Sequence, residues 1–185
     1  MNRTAALCAV LAAVPARVLC SAAAAQLDMT LRSLVDDTRA EVRMMAVRAA
    51  GLLIAHGLTT ACASPSFVEL LASAARDESS DVRRCALGVL KRVAKQAPAD
   101  TLSPHLLVLL PPAADALNDR VGPVKLLAER TVRRCCWPSN TSGVEAASAL
   151  LLSAGATPAL RAKLTDAVLR RLSKLPDDSD DDAEL

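Results

Sequence analysis

Apolar residues recur every three or four positions in three stretches of the chain: Val42, Ala46, Ala49 and Leu53; Val82, Ala86, Val89 and Val93; Val124, Ala128, Thr131 and Cys135. That spacing paints one face of an α-helix, so each stretch predicts an amphipathic helix with its apolar stripe turned to a neighbour. The three also align without gaps on a shared frame: an Asp, four residues, a Val, an Arg or Lys, two residues and an Ala. The frame reads Asp37 to Val42, Arg43 and Ala46, then Asp77 to Val82, Arg83 and Ala86, then Asp119 to Val124, Lys125 and Ala128. Successive valines lie 40 and 42 residues apart. A small Ala one turn after each Val lets a neighbouring helix approach closely, and the Arg or Lys beside the Val is expected to lie off the buried stripe.

A second marker keeps nearly the same period. Ser64-Pro65 and Ser103-Pro104 lie 39 residues apart, each with Ser placed to cap a helix and Pro at its first position. The expected pairs are 17–35 with 39–56, 65–76 with 81–96, and 104–118 with 121–136, with Pro111-Pro112 kinking or breaking the last first-helix. A period near 40 residues is that of two-helix HEAT and armadillo units, so the fold class expected is all-α, an α-solenoid of HEAT-type helix pairs. Three repeats then occupy residues 17–136, preceded by a partial repeat or targeting-like segment at 1–16. Residues 137–176 are expected to form capping helices. Ser142 with Glu145 has capping-box spacing ahead of the run Ala146 to Leu152, and Thr157-Pro158 opens a last helix to about Leu175. The acidic tail at 177–185 has nothing to bury and is expected to be disordered.

Composition sharpens this picture. Hydrophobic residues make up 52% of the chain, but Phe67 and Trp137 are its only aromatics, so the core must be small and branched aliphatic, which suits close-packed helices. All 22 Lys and Arg precede Pro176 while six of the 20 acids follow it, which leaves 14 acids against 22 bases in the body, a net of +8. The six cysteines, Cys8, Cys20, Cys62, Cys85, Cys135 and Cys136, form no CxxC pair and read as reduced core thiols of a cytoplasmic protein. The alternative for the adjacent Cys135 and Cys136 is redox activity. Asn140-Thr141-Ser142 is a glycosylation acceptor that matters only in a secreted chain.

Residues 1–27 contain no acid, place Arg3 before the apolar run Ala5 to Val14 and end in Ala22 to Ala25, like a signal or transit peptide. Pro15 and Arg17 interrupt that pattern, which favours the end of a helical repeat in a cytoplasmic protein. The competing reading is an exported or plastid protein with a mature end near Ala25. No apolar run reaches the ~18 residues of a bilayer span, so no membrane partner is expected.

No chemistry-bearing constellation emerges. His56 and His105 are the only histidines and belong to no HxxxH or HExxH arrangement, and the six glycines form no phosphate-binding loop. Asp36-Asp37, Asp77 and Asp119 read as caps between paired helices. No enzyme, catalytic residue, metal or cofactor is expected.

Basic residues do cluster: Arg83, Arg84, Lys91, Arg92 and Lys95 on one helix, and Lys125, Arg130, Arg133 and Arg134 on its counterpart in the next repeat. Stacking would align them into a ridge able to grip ribosomal RNA or another anionic partner; without aromatics it would be indifferent to sequence. Ordinary solvated helix faces are the competing reading. Ser173, after Arg170-Arg171-Leu172, and Ser179, before Asp180 to Asp182, lie in phosphorylation-like contexts.

The run from Asp119 to Arg130, DRVGPVKLLAER, resembles a segment near the end of the large HEAT-repeat sensor of stalled ribosomes, the activator of the amino-acid-starvation kinase of translation initiation factor 2. Asp81-Val82-Arg83-Arg84 with Leu90-Lys91 looks like that family's preceding repeat, and Arg171-Leu172-Ser173-Lys174-Leu175-Pro176 like the C-terminus of its plant and algal form. The resemblance covers about residues 74–185. It implies a non-enzymatic scaffold whose partners are the ribosome and the kinase, of which this chain corresponds to the extreme C-terminal piece. A generic HEAT or armadillo adaptor unrelated to translation is the alternative, and the sequence leaves the oligomeric state open.

Overall fold

The computed structural model describes residues 29–55, 65–96, 106–137 and 144–175. After a helical segment at 29–35 come α1 (Ala40–Ala55), α2 (Pro65–Ala74), α3 (Ser80–Gln96), α4 (Leu106–Asp115) with a 3-10 turn (Ala116–Asn118), α5 (Gly122–Cys136), α6 (Val144–Ser153), α7 (Pro158–Lys163) and α8 (Asp166–Leu172). No strand occurs among the described residues.

The helices form two layers. α3 lies along α1 on one side and α5 on the other, while α2 packs on α4 and α4 on α7. α6 and α8 close the far side of α5. The stripes led by Val42, Val82 and Val124 are therefore parallel neighbours in one elongated core, and all three valines are buried. The Ala one turn after each, Ala46, Ala86 and Ala128, is buried as well. Close approach is carried furthest at Gly51 of α1, where a Cβ would sit 2.8 and 2.9 Å from the two γ-carbons of Val89 on α3.

Of the kink or break expected at Pro111-Pro112, the break does not occur; α4 runs through both prolines and passes into the 3-10 turn. The carbonyls that lose their donors belong to Leu107 and Val108, whose side chains are exposed, so solvent can replace the missing N–H groups. The helix expected from Thr157-Pro158 to about Leu175 is two helices. Thr157 Oγ1 accepts the Leu160 N–H at 3.2 Å, and Thr165 then caps a fresh start, α8. Two residues past the end of α6, Gly155 takes a φ of 75° in the left-handed region, and the Ala156 N–H donates back to the Leu151 carbonyl at 2.9 Å. The segment 1–28, Cys8, Cys20, Cys62, both histidines, the caps Ser64, Ser103 and Ser142, the Asn140 acceptor, Ser179 and the acidic tail lie outside the described residues.

Candidate interaction surface

The Asp and Arg of the repeat frame meet across repeats. Arg43 Nε and Nη2 donate to the two carboxylate oxygens of Asp77, each at 2.8 Å, and Arg83 Nε and Nη2 donate to Asp119 at 2.7 and 3.0 Å. The third nitrogen of each fork turns to backbone: Arg43 Nη1 donates to the carbonyls of Asp37 and Thr38, and Arg83 Nη1 to those of Asp77 and Glu78. Each Asp also caps its own turn, Asp77 accepting the Ser79 N–H at 2.8 Å and Asp119 the Val121 N–H at 2.9 Å. The result is a ladder of two-pronged ion pairs along the edge where paired helices join.

Charge makes the ladder self-consistent. For Asp119 the Arg83 hydrogen bonds are the main cause of a lowered pKa, against burial and with help from the Val121 N–H. Burial pushes the Asp77 carboxyl upward, but Arg43, the Ser79 N–H and the charges of Arg43 and Arg83 outweigh it and hold it below the usual value. A second set of pairs runs beside the first: the Asp115 carboxylate takes Arg76 at 3.1 Å and also Lys163, tying α2, α4 and α7 together at their ends. Glu129 of α5 meets Arg171 of α8 at 3.1 Å.

This arrangement revises the basic ridge. Arg43 is buried rather than off the stripe and Arg83 is spent on Asp119, because the interlocking of repeats needs charge where a single helix would show it to water, and Lys91 is buried too. Lys125 occupies the ladder edge, in the same register as Arg83, and is exposed. On the outer face of the α1, α3 and α5 layer, Arg84 is exposed and only 3.9 Å from Asp81, Lys95 is exposed, and Arg92, Arg130, Arg133 and Arg134 are half-buried. Arg92 and Arg134 hold the same place in successive repeats, 42 residues apart like their valines.

Arg48 of α1 belongs to this face too and was missed by sequence reasoning. Together with Arg84 and Arg92 it bears electrostatically on the Cys85 thiol, whose Sγ lies 3.7 Å from the Met44 carbonyl. Burial nonetheless pushes that thiol above its usual value, against the pull of the three guanidiniums. The signal was present: Arg48 lies three residues before Gly51, which abuts α3, in the register that Arg130 fills in α5. Ser173 is half-buried at the end of α8 and its Oγ donates to the Arg170 carbonyl at 3.0 Å.

The described residues contain no group of three or more His, Cys, Asp or Glu able to hold a metal, and no helix long and apolar enough to cross a membrane. Cys85, Cys135 and Cys136 are buried free thiols. Desolvation pushes Cys135 up to about 12 and raises Cys136 as well, so neither forms a thiolate readily.

Known proteins agree with this architecture. A solved engineered protein matches 80% of this chain and 59% of its own at a TM-score of 0.54 with 19% identity, a likeness of fold alone. Protein ILITYHIA of Arabidopsis thaliana is 32% identical over 171 residues, covering 90% of this chain. The chain spans 6% of that relative's length. The family model for GCN1-like, C-terminal HEAT repeats matches residues 3–149. With its repeat frame, ladder and layered helix pairs, the chain therefore belongs to the GCN1-like, C-terminal HEAT-repeat family.

Proposed function

We propose that the chain is a non-enzymatic scaffold of translational control in the cytoplasm, contacting ribosomes and supporting activation of the starvation-responsive kinase of initiation factor 2. The observation that carries this reading is the family match over residues 3–149, joined to the cluster of Arg48, Arg84 and Arg92 around Cys85, of which Arg84 is exposed and the other two half-buried. A basic cluster of this kind neutralises phosphates, and with no aromatic residue among Arg48, Arg84, Arg92 and their helix neighbours it would not read bases. Its grip should fall steeply with salt.

The test is co-sedimentation with ribosomes across a salt series. Arg84→Glu with Arg92→Glu should abolish pelleting at low salt while the helical circular dichroism stays unchanged. Pelleting that survives the double reversal, or that ignores salt, would remove this face from the contact and favour an adaptor for a protein partner instead.

A further inference from the structure

Two adjacent prolines leave α4 with a bare acceptor. The Val108 carbonyl would take its helical N–H from residue 112, or from residue 111 in a tighter turn, and both are proline. Val108 and its neighbour Leu107 are exposed, so that carbonyl is open to donors from outside the helix. Val108 also lines a groove of about 910 Å³, together with Glu69 of α2, Val35 and the turns that precede α1 and α3. The groove is opposite in charge to the body of the chain. Asp36, Asp37, Glu69, Asp77 and Glu78 line it against Arg43 and Arg76, five acids and two bases for a net of −3, where the chain up to Pro176 carries +8. Both bases are already spent, Arg43 on Asp77 and Glu78, and Arg76 on Asp115 outside the groove. Asp37 holds Arg39. Asp36 and Glu69 are exposed, and no described cation pairs with either.

We propose that this groove docks a cationic, amphipathic segment of a protein partner, with Lys or Arg side chains against Asp36 and Glu69, an N–H against the Val108 carbonyl and an apolar side chain against Val35 and Val108. Other classes of ligand match fewer of these features. A nucleic acid would bring phosphates to a surface of net −3 and be repelled. A metal ion needs ligands gathered on one point, and the described residues hold no group of three or more His, Cys, Asp or Glu able to provide that. A polyamine would answer the carboxylates but leave Leu107 and Val108 uncovered. A peptide brings cationic side chains, backbone donors and apolar cover together. Its ion pairs would be exposed and individually weak, so docking is reversible and sensitive to salt. The groove belongs to the layer of α2 and α4, away from the outer face of α1, α3 and α5, and the inference does not rest on what that face binds.

The test is fluorescence polarisation of a labelled peptide built from Lys and Leu, titrated with the full chain at low salt. Asp36→Lys with Glu69→Lys should weaken binding by about tenfold, since two attractions become repulsions. Asp81→Lys with Glu145→Lys makes the same change in net charge at exposed acids outside the groove, and should weaken it by less than about twofold. Circular dichroism should be unchanged in both variants. The same peptide with Ser for every Leu should bind about threefold more weakly, which separates a peptide from a polyamine-like charge effect. Zero-length carbodiimide cross-linking, mapped by mass spectrometry, should join the peptide's lysines to Asp36 or Glu69. Equal losses in the two double variants, equal binding of the Ser peptide, or cross-links falling on Asp81 and Glu145 as often as on Asp36 and Glu69 would each overturn the proposal.

Discussion

Arg43 and Asp77 lie 34 residues apart in sequence and are joined by two hydrogen bonds of 2.8 Å, with the guanidinium's remaining nitrogen spent on the turn that starts its own helix. One side chain thus fixes both the geometry of its own unit and its distance from the next. In a linear array, where each unit touches only its neighbours, such a contact belongs to the interface on which cooperativity depends.

Removing the acceptor should therefore cost more than an ordinary surface pair. Asp119→Ala leaves Arg83, whose side chain is 18% exposed, without its carboxylate and strips the Val121 N–H of its cap. We expect a loss of about 2–3 kcal/mol in urea unfolding, from a charged hydrogen bond broken in a largely desolvated place. A loss within the range of exposed pairs, about 0–1 kcal/mol, would mean that the rung is solvated.

The same pairs predict how stability responds to acid. Asp77 and Asp119 both have folded pKa values below the ordinary 3.8, so the folded state favours their ionised forms. Their contribution is complete above 3.8 and is lost as pH falls from there through the lower folded values. Unfolding midpoints measured against pH should drop steeply in that window, and the Asp119→Asn curve, lower at neutral pH, should converge on the parent curve in acid. Parallel curves would show that the rung does not titrate with folding.

Gly51→Ala sets two effects against each other. Alanine gains up to about 1 kcal/mol in helix propensity over glycine. Its Cβ would meet Val89 γ-carbons at 2.8 and 2.9 Å, and a β-branched side chain in a helix has little rotamer freedom to retreat, so overpacking at about 1–3 kcal/mol should win. A lower melting temperature for Gly51→Ala, relieved by adding Val89→Ala, checks the sign; stabilisation by the single change would show that α1 and α3 can separate freely.

Cys85, Cys135 and Cys136 should resist iodoacetamide in the native chain at mildly alkaline pH and react together once it is denatured, because burial keeps their thiols protonated and out of reach. Peptide-level mass spectrometry reads this directly. Rapid native labelling of Cys135 would mean that α5 opens locally.

The apolar stripes, their period and the stacking of the helices that carry them were legible in the sequence, because a 3.6-residue repeat inside a 40-residue one has few other solutions. Asp77 and Asp119 were legible only in part. Their capping role is local and visible, while their pairing with Arg43 and Arg83 needs two repeats laid side by side. The shared recurrence of Asp and Arg in every frame was the available signal, but reading one helix at a time sends every charge to solvent. The same habit placed Arg83 and Lys91 on the ridge and overlooked Arg48. The break at Leu164 was hidden because Thr165-Asp166, a good helix start, sits inside a pattern that otherwise reads as continuous.

Because the two-pronged pairs of Arg43 and Arg83 lie along the edge where paired helices join, that edge resists extension more than a purely aliphatic contact would. A pulling or bending load would be borne first by the short, directional contacts of Arg43 and Arg83, whereas aliphatic surfaces elsewhere can slide before they part. The array should therefore curve readily in one sense and stiffly in the other.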